Sequence, residues 1–584
     1  MAGDNIAPAA LRSDEYKDQK AEQVRQGTLG NVRLRHHETN VIILIPTPSN
    51  DPNDPLNWYV DWRLDFPLGM PQRADQLRPQ WYKKCIAVLI CVAMLMCTFL
   101  AAGPSVTIVN TTLDFFPASP PTVDPAGFSA NISKVAYFFS TTALLQGIGN
   151  FIWVPLANKY GRRPVYVASY TLYLATAIWA SLEHSYSGFL AARILMGFAS
   201  GAAETIAPVT ISDLFFLHER GAVMALYTSF LSAGVGFGMV IAGLITIHNG
   251  WRVIYEVAAG LIGFLLLVAF FAFPETAFIR EDVAVGNSQP LQPLSSGYGS
   301  EKTHHTADRV SDIEAVPRSQ QTHPKKKKKT YLQSLSLYNS TFTSEPLYKI
   351  LVRPFGLILL PPILWAALVE SVTIGFLVAV TSNVDPAFHS AYNFEAWQVG
   401  LCFIASCLGS AIGIPAGGKL GDVVADHFTK KNGGIREPEM RLPAILPSLI
   451  TTPLALVLYG VGIQNKLHWI CPTIGLGLLN FSVVQATNIA LVYVIDSYRP
   501  VAGEVTLAVM GFKSLFGFLL SFYTNPWVAQ SGYLNAYGAM AGISAAILVL
   551  WVPLYVWGRH IRHVTWSWPV ISYVHWSGDR EVGE

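Results

Sequence analysis

The sequence predicts an all-α integral membrane protein with twelve transmembrane helices in two pseudo-symmetric six-helix halves and both termini cytoplasmic. Three observations predict it. Of 584 residues, 51% are hydrophobic and only 13% charged, where soluble domains carry about 25% charged residues; the mean hydropathy is +0.36. Polar residues gather in a few blocks and leave apolar runs of roughly 20 residues, enough to cross about 30 Å of hydrocarbon as a helix. Every second connection between those runs is basic, which sets the orientation.

In chain order, residues 1–82 are polar and read as a cytoplasmic tail with no cleavable signal. Six spans follow in a bundle over 83–276, near 85–108, 133–156, 165–183, 188–212, 222–247 and 252–273. Residues 277–350 hold Ser, Pro, Gly, His and the run KKKKK at 325–329, and this composition predicts a disordered cytoplasmic linker. A second bundle over 351–560 repeats the six spans, near 355–381, 396–417, 442–463, 468–492, 504–524 and 536–558, before a cytoplasmic tail at 561–584.

The basic connections are NKYGRRP (158–164), HERG (218–221), the linker, DHFTKKNGGIREPEMR (426–441), YRP (498–500) and GRHIRH (558–563). The alternate connections EHSYSG (183–188), SNVDPAFHSAYNFEAW (382–397) and QSGYLN (530–535) carry no Lys or Arg, so they face outward. The sequons at Asn110 and Asn131 fall in the first outward loop and read as glycosylation sites; Asn480 lies inside a span and does not. A net charge of +2 gives no basic field for nucleic acid. The six cysteines sit in apolar runs without metal-ligand spacing and read as small apolar residues. No HExxH, paired-acid or nucleophile–base set is present, which argues against an enzyme, and no phosphate-binding loop supports an ATP-driven pump.

Cytoplasmic charge alone explains a basic turn, but the spacing of WVPLANKYGRRPVYV (153–167) says more. Gly161 permits a tight turn, and the guanidinium groups of Arg162 and Arg163 can fork onto helix ends and carboxylates across the half-interface. GGKLGD places Gly418, Leu420 and Asp422 at matching spacing after the second span of the second half, as an internal duplication requires. Arg193 in span 4 is either a functional interior charge or a snorkelling one. Gly197 and Gly201, on the same helix, read as close packing.

Glu204, Glu256, Glu370 and Lys513 are the other deep charges; Asp213, Asp496 and Glu504, near cytoplasmic helix ends, read as solvated termini. Glu370 and Lys513 lie at similar depth, and Lys513 is the expected partner of Glu370, either as a structural ion pair or as a proton or substrate site. Tyr137, Phe138 and Phe139 are candidate cavity aromatics, against a reading as packing.

Taken together these residues resemble the major facilitator superfamily. Leu156, Ala157, Lys159, Gly161, Arg162 and Arg163 match the loop motif between its spans 2 and 3, with Val154 where Gly is usual and Asn158 where Asp is usual. Arg193, Gly197 and Gly201 resemble its span-4 pattern. Gly234, Gly238 and Gly243 fit its antiporter motif, but Met239 replaces the proline and Ala242 a glycine. The phrases IILIPTPSNDPNDPLNW (42–58), FFLHERG (215–221), FPET (273–276), KKNGGIREPEMRLP (430–443) and VIDSYRPVAGEV (494–505) are similar to the fungal twelve-span drug:proton antiporter branch, especially the histidinol/cation (polyamine) carriers. Tyr59 to Gln80 interrupts that likeness, read either as an insertion or as a faulty gene model.

The resemblance implies a multi-pass, plasma-membrane, monomeric carrier without a cofactor. It would exchange protons for a small organic molecule by alternating access between two halves. Arg193, Glu204, Glu370 and Lys513 are the coupling candidates, and Asn158, Lys159, Gly161, Arg162, Arg163, Gly418 and Asp422 form the gating loops. Efflux of a drug-like compound or secondary metabolite is the leading expectation. Proton-coupled import of cationic nutrients or polyamines is the alternative, and a non-transporting nutrient sensor is a third reading.

Overall fold

A computed structural model describes residues 29–34, 46, 51, 53–58, 80–117, 125–278, 333, 335–336, 341–343 and 345–574. The bulk of the predicted linker, and the insertion up to residue 79, lie outside the described residues.

In the first half, α1 (Gln80–Ala102) runs through a 3-10 turn into α2 (Ile108–Phe115), followed by α3 (Pro125–Tyr160), α4 (Arg162–Leu182), α5 (Tyr186–Leu214), α6 (Leu217–Ile245) and α7 (Val253–Ala272). The second half comprises α8 (Leu347–Leu357), α9 (Pro361–Glu370), a π-turn at Ser371–Gly375, α10 (Phe376–Tyr392), α11 (Ala396–Cys402), α12 (Ile404–Gly417) and α13 (Lys419–Lys431). It continues with α14 (Leu446–Gln464), α15 (Ile470–Ser497), α16 (Ala502–Val549) and α17 (Trp551–Trp566). Ten helical segments among the described residues are long and apolar enough to cross a membrane. The 36-residue α3 is outside that set, and the segment Arg499–Trp566 within it is broken at Gly532, whose φ is 79°.

A helix in hydrocarbon satisfies its own backbone, so irregular backbone is confined to protein-lined places. Its outer side chains stay apolar: Phe264 and Ile450 are each 68% exposed, a perimeter suited to lipid and costly in water. Small residues bring the helices together where α5 crosses α3. There a Cβ on Gly197 would collide with the Thr142 carbonyl, so this glycine serves close packing.

Several boundaries depart from the sequence reading. The outward connection 382–397 is mostly helix, because Val384, Ala387 and Phe388 are fully buried and carry α10 through Pro386 to Asn393, which ends it at φ 54°. The last residues of the predicted linker are packed: the backbone N–H of Phe342 donates to the Lys159 carbonyl at 2.9 Å, and Glu345 pairs with buried Arg353 at 2.5 Å. Past Trp566 the chain stays on the protein, with Ile571 and Val574 buried in the core of the second half. Part of the N-terminal region is docked too. β1 (Val32–Arg33) pairs antiparallel with β2 (Ile435–Arg436), between α13 and α14.

Candidate functional site

The halves meet around a cavity of about 110 Å³. Thr98, Ser105, Phe139, Gln146 and Glu204 line it from the first half, with Thr381, Ser382, Lys513, Ser514 and Ser521 among the lining residues of the second. Contacts between halves lie on both sides of it. At the end carrying the 158–163 turn (the basic end), the amide of Asn158 donates to Glu504 at 3.4 Å and Arg220 pairs with Asp496 at 3.4 Å. At the opposite end the Ser105 hydroxyl donates to the Thr381 carbonyl at 3.4 Å, and Asp385 of α10 is buried.

Two of the sequence-predicted residues meet inside the cavity. Lys513 on α16 donates to Glu204 on α5, and Gln146 on α3 donates to the other Glu204 oxygen at 3.1 Å. The Tyr227 hydroxyl fixes the same stretch of α5 by donating to the Glu204 carbonyl at 2.6 Å. Lys513 therefore pairs with Glu204 and not with Glu370, the partner expected from depth along the sequence. Equal depth does not fix rotation about the helix axis, and Lys513 points across the interface.

Glu370 is fully buried at the end of α9, and neither carboxylate oxygen has a hydrogen-bond partner. Lys513 and Glu204 are the charged groups whose field it feels. A π-turn directly after it re-aims the following residues, so that the Thr373 hydroxyl approaches that of Thr487 at 3.4 Å. Such turns are frequent at functional sites.

Arg193 neither snorkels nor lines the cavity. It is fully buried and donates to the carbonyls of Phe138 at 3.1 Å, Leu100 at 2.9 Å and Ala101 at 3.4 Å, at the bend where α1 gives way to its 3-10 turn. Its guanidinium lies 5.2 Å from the Phe139 ring centre, the one residue of the Tyr137–Phe139 trio that faces the cavity. Phe138 packs against Phe189 at 4.7 Å, and Tyr137 stacks on Phe522 at 5.9 Å. Glu256 is exposed in the first turn of α7, away from the cavity.

Apart from Asn158, which reaches Glu504 across the interface, the turn bonds to its own half through Arg162 and Arg163. Arg162 bonds Asp213 at 3.1 Å, and the backbone N–H groups of Arg162 and Arg163 donate to Glu275 at 2.8 and 3.3 Å. Arg163 caps the Phe270 carbonyl at 2.7 Å. Burial pushes the Glu275 carboxyl above the usual range, and these donors oppose the shift. Gly161 stands at φ 104° with Glu275 against its α-carbon, so the turn has no room for a side chain. The Lys159 carbonyl receives the linker end, as described above.

The second copy of the turn does touch both halves. Gly418 packs on Ala222 and Ala225 of α6, with a Cβ there 3.1 and 3.0 Å away, and Asp422 pairs with Arg441 at 2.6 Å beside Gly221. Asp496 and Glu504, expected as solvated termini, are 4% and 0% exposed because these helix ends dock on the other half. Asp213 is part-buried in its pair with Arg162. Asp385 escaped the sequence reading because it sat in a stretch read as loop. Of the two sequons, Asn110 is exposed on α2, whereas Asn131 is 8% exposed in α3 with its amide oxygen held by Lys134 at 3.2 Å.

The Major Facilitator Superfamily profile matches residues 86–521. An uncharacterized transporter of Schizosaccharomyces pombe is 25% identical over 90% of this chain and 88% of its own. Protein HOL1 of Saccharomyces cerevisiae is 24% identical over 94% of each. A probable efflux pump of Aspergillus flavus, mfs2, is 23% identical over 74% of this chain and 95% of its own. Among solved structures, a proton:xylose symporter of the superfamily superposes with a TM-score of 0.52 at 14% identity, covering 81% of this chain and 95% of that one. The human organic anion transporter MFSD10 does so with 0.51 at 14% identity, covering 81% and 100%. Two helical halves enclosing a shared cavity, and a family profile spanning both of them, place this chain in the Major Facilitator Superfamily of small-solute transporters.

Proposed function

We propose that the protein is a proton-coupled secondary transporter of small organic molecules that works by alternating access in the plasma membrane. In this reading α3 and the two parts of α16 complete twelve spans, and the basic turns and both termini face the cytosol. The observation that carries it is the cavity between the halves, where Lys513 of the second half pairs with Glu204 of the first while Glu370 lies buried without a hydrogen-bond partner. Closing contacts at both ends of that cavity support a state with the substrate site shut from each side.

Burying an ionised carboxylate without a partner costs several kcal/mol, about 3–5 where a buried pair is broken. Glu370 therefore takes up a proton or a cation when it has no ammonium. Lys513 belongs to the second half, as does Glu370, whereas Glu204 belongs to the first. When the halves part, Lys513 can leave Glu204 for Glu370, which frees one carboxylate for a proton or a substrate cation. Export of a drug-like compound or secondary metabolite follows if protons enter as the substrate leaves. The buried carboxylate of Glu370, without a hydrogen-bond partner, favours a second reading, import of a cation such as a polyamine. The exposed Asn110 is the proposed glycosylation site.

The test is accumulation of rhodamine 6G and of labelled spermidine in inside-out vesicles carrying the protein. Gradient-driven accumulation of either that a protonophore abolishes supports export of that probe. Spermidine uptake by intact cells that depends on the gene supports import. Flux of neither probe and no proton movement would contradict coupled transport.

A further inference from the structure

We propose that residues 29–34 form a strap that clasps the two halves together at the basic end, so that its release controls opening of the cavity on that side. The proposal rests on the alternating-access reading, but its test does not require a known substrate.

The strap is anchored to the second half through its backbone. Val32 and Arg33 pair with β2, and the backbone N–H of Leu34 donates to the Gly434 carbonyl at 3.0 Å. Arg562 on α17 donates to the Leu29 carbonyl and, at 3.1 Å, to the Asn31 side chain. Arg499 donates to the Gly30 carbonyl at 3.3 Å. Arg562 is itself held by both oxygens of Glu439, at 2.7 and 2.9 Å, so this anchor is stiff. Gly30 fits tightly at φ 86°, where a Cβ would meet Arg562 Nη1 and the Ser497 carbonyl, each at 2.8 Å.

The side chains reach the other half. Val32 and Leu34, 7% and 2% exposed, form an apolar cluster with Leu217, the first residue of α6. Leu217 lies one turn before Arg220, whose pair with Asp496 joins the halves at the same end. A rocking motion that opens this end carries Leu217 away from β2. The backbone bonds stay within the second half, and the apolar contact is the part that breaks. A contact of three aliphatic residues is directionless and re-forms readily, which suits a clasp that opens in every cycle.

A cysteine reporter reads the state of this end. Val209, buried on α5 near Gly503 of α16, becomes the reporter as Val209→Cys in the full-length protein in inside-out vesicles, measured against the same protein without that substitution. Val32→Asp with Leu34→Asp removes the clasp, and Gly30→Ala loosens its seat without adding charge. Both are expected to raise the rate of maleimide labelling at the reporter, the double variant about tenfold. Conversely, Leu34→Cys with Leu217→Cys is expected to cross-link on oxidation and to slow labelling by a similar factor until a reductant is added. Unchanged labelling in the released variants, a cross-linked protein that labels as fast as the reduced one, or failure of the cross-link to form would each overturn the proposal. A response of the reporter in a protein that moves no probe would instead count against the transport reading alone.

Discussion

The ammonium of Lys513, in the second half, donates to the carboxylate of Glu204, in the first, inside the cavity that the halves share. In the alternating-access reading proposed above, the halves separate around this ion pair, which gives it a role beyond holding them together. Removing one member leaves the other charged and buried, which costs about 3–5 kcal/mol. Lys513→Met is therefore expected to abolish transport and to lower stability by that order, measured by thermal unfolding in detergent. Adding Glu204→Gln to it restores most of the stability but not the transport. A double variant no more stable than Lys513→Met alone would show that the pair is not the coupled unit described here.

Glu370 behaves differently because it has no hydrogen bond to lose. Glu370→Gln keeps the shape and removes an ionisable group from an apolar site, so stability is expected to be unchanged or higher. Substrate exchange across the membrane is retained, while net transport driven by a pH gradient falls at least tenfold. Parallel measurements of exchange and net flux check this outcome, and a loss of exchange would assign Glu370 to substrate binding instead.

Asn158 stands where the loop motif it resembles usually has Asp, and its contact is one that a carboxylate would not make. Its amide donates to Glu504 across the interface at 3.4 Å, and Glu504 is fully buried. Asn158→Asp sets two carboxylates face to face at the basic end. It is expected to speed maleimide labelling at Val209→Cys several-fold at neutral pH, with the effect fading as acid protonates one of the pair. Labelling that stays at the wild-type rate would show that this contact does not hold the end closed.

The two sequons separate by exposure. Asn110→Gln is expected to abolish the mobility shift that an endoglycosidase produces on gels, and Asn131→Gln to leave it unchanged, because Asn131 is buried in α3. The reverse pattern would put the Asn131 region at the surface.

Apolar runs, basic turns and the repeated glycine-bearing turn were legible in the chain, because bilayer thickness and Lys/Arg bias act on composition. The pairing of Lys513 was not. Helices such as α5, α15 and α16 are apolar on nearly every side, so periodicity carries little information about which face meets which neighbour. Asp496 and Glu504 were misread for a related reason: a charge near a helix end looks solvated until another half covers it. The stretch 382–397, free of Lys and Arg, read as an outward connection, yet buried Val384 and Phe388 carry the helix through Pro386. The strap left only a faint trace, the aliphatic pair Val32 and Leu34 alternating as in a strand within a polar tail.

The central claim is that Lys513 moves between two carboxylates and that Glu370 carries the proton. Purified protein in liposomes loaded with a pH-sensitive dye, supplied with rhodamine 6G or spermidine on one side, tests it most directly. The account predicts proton movement that accompanies substrate flux in the wild type and disappears in Glu370→Gln while substrate exchange persists. Proton movement of equal size in Glu370→Gln, or substrate flux in the wild type with no proton movement, would contradict it.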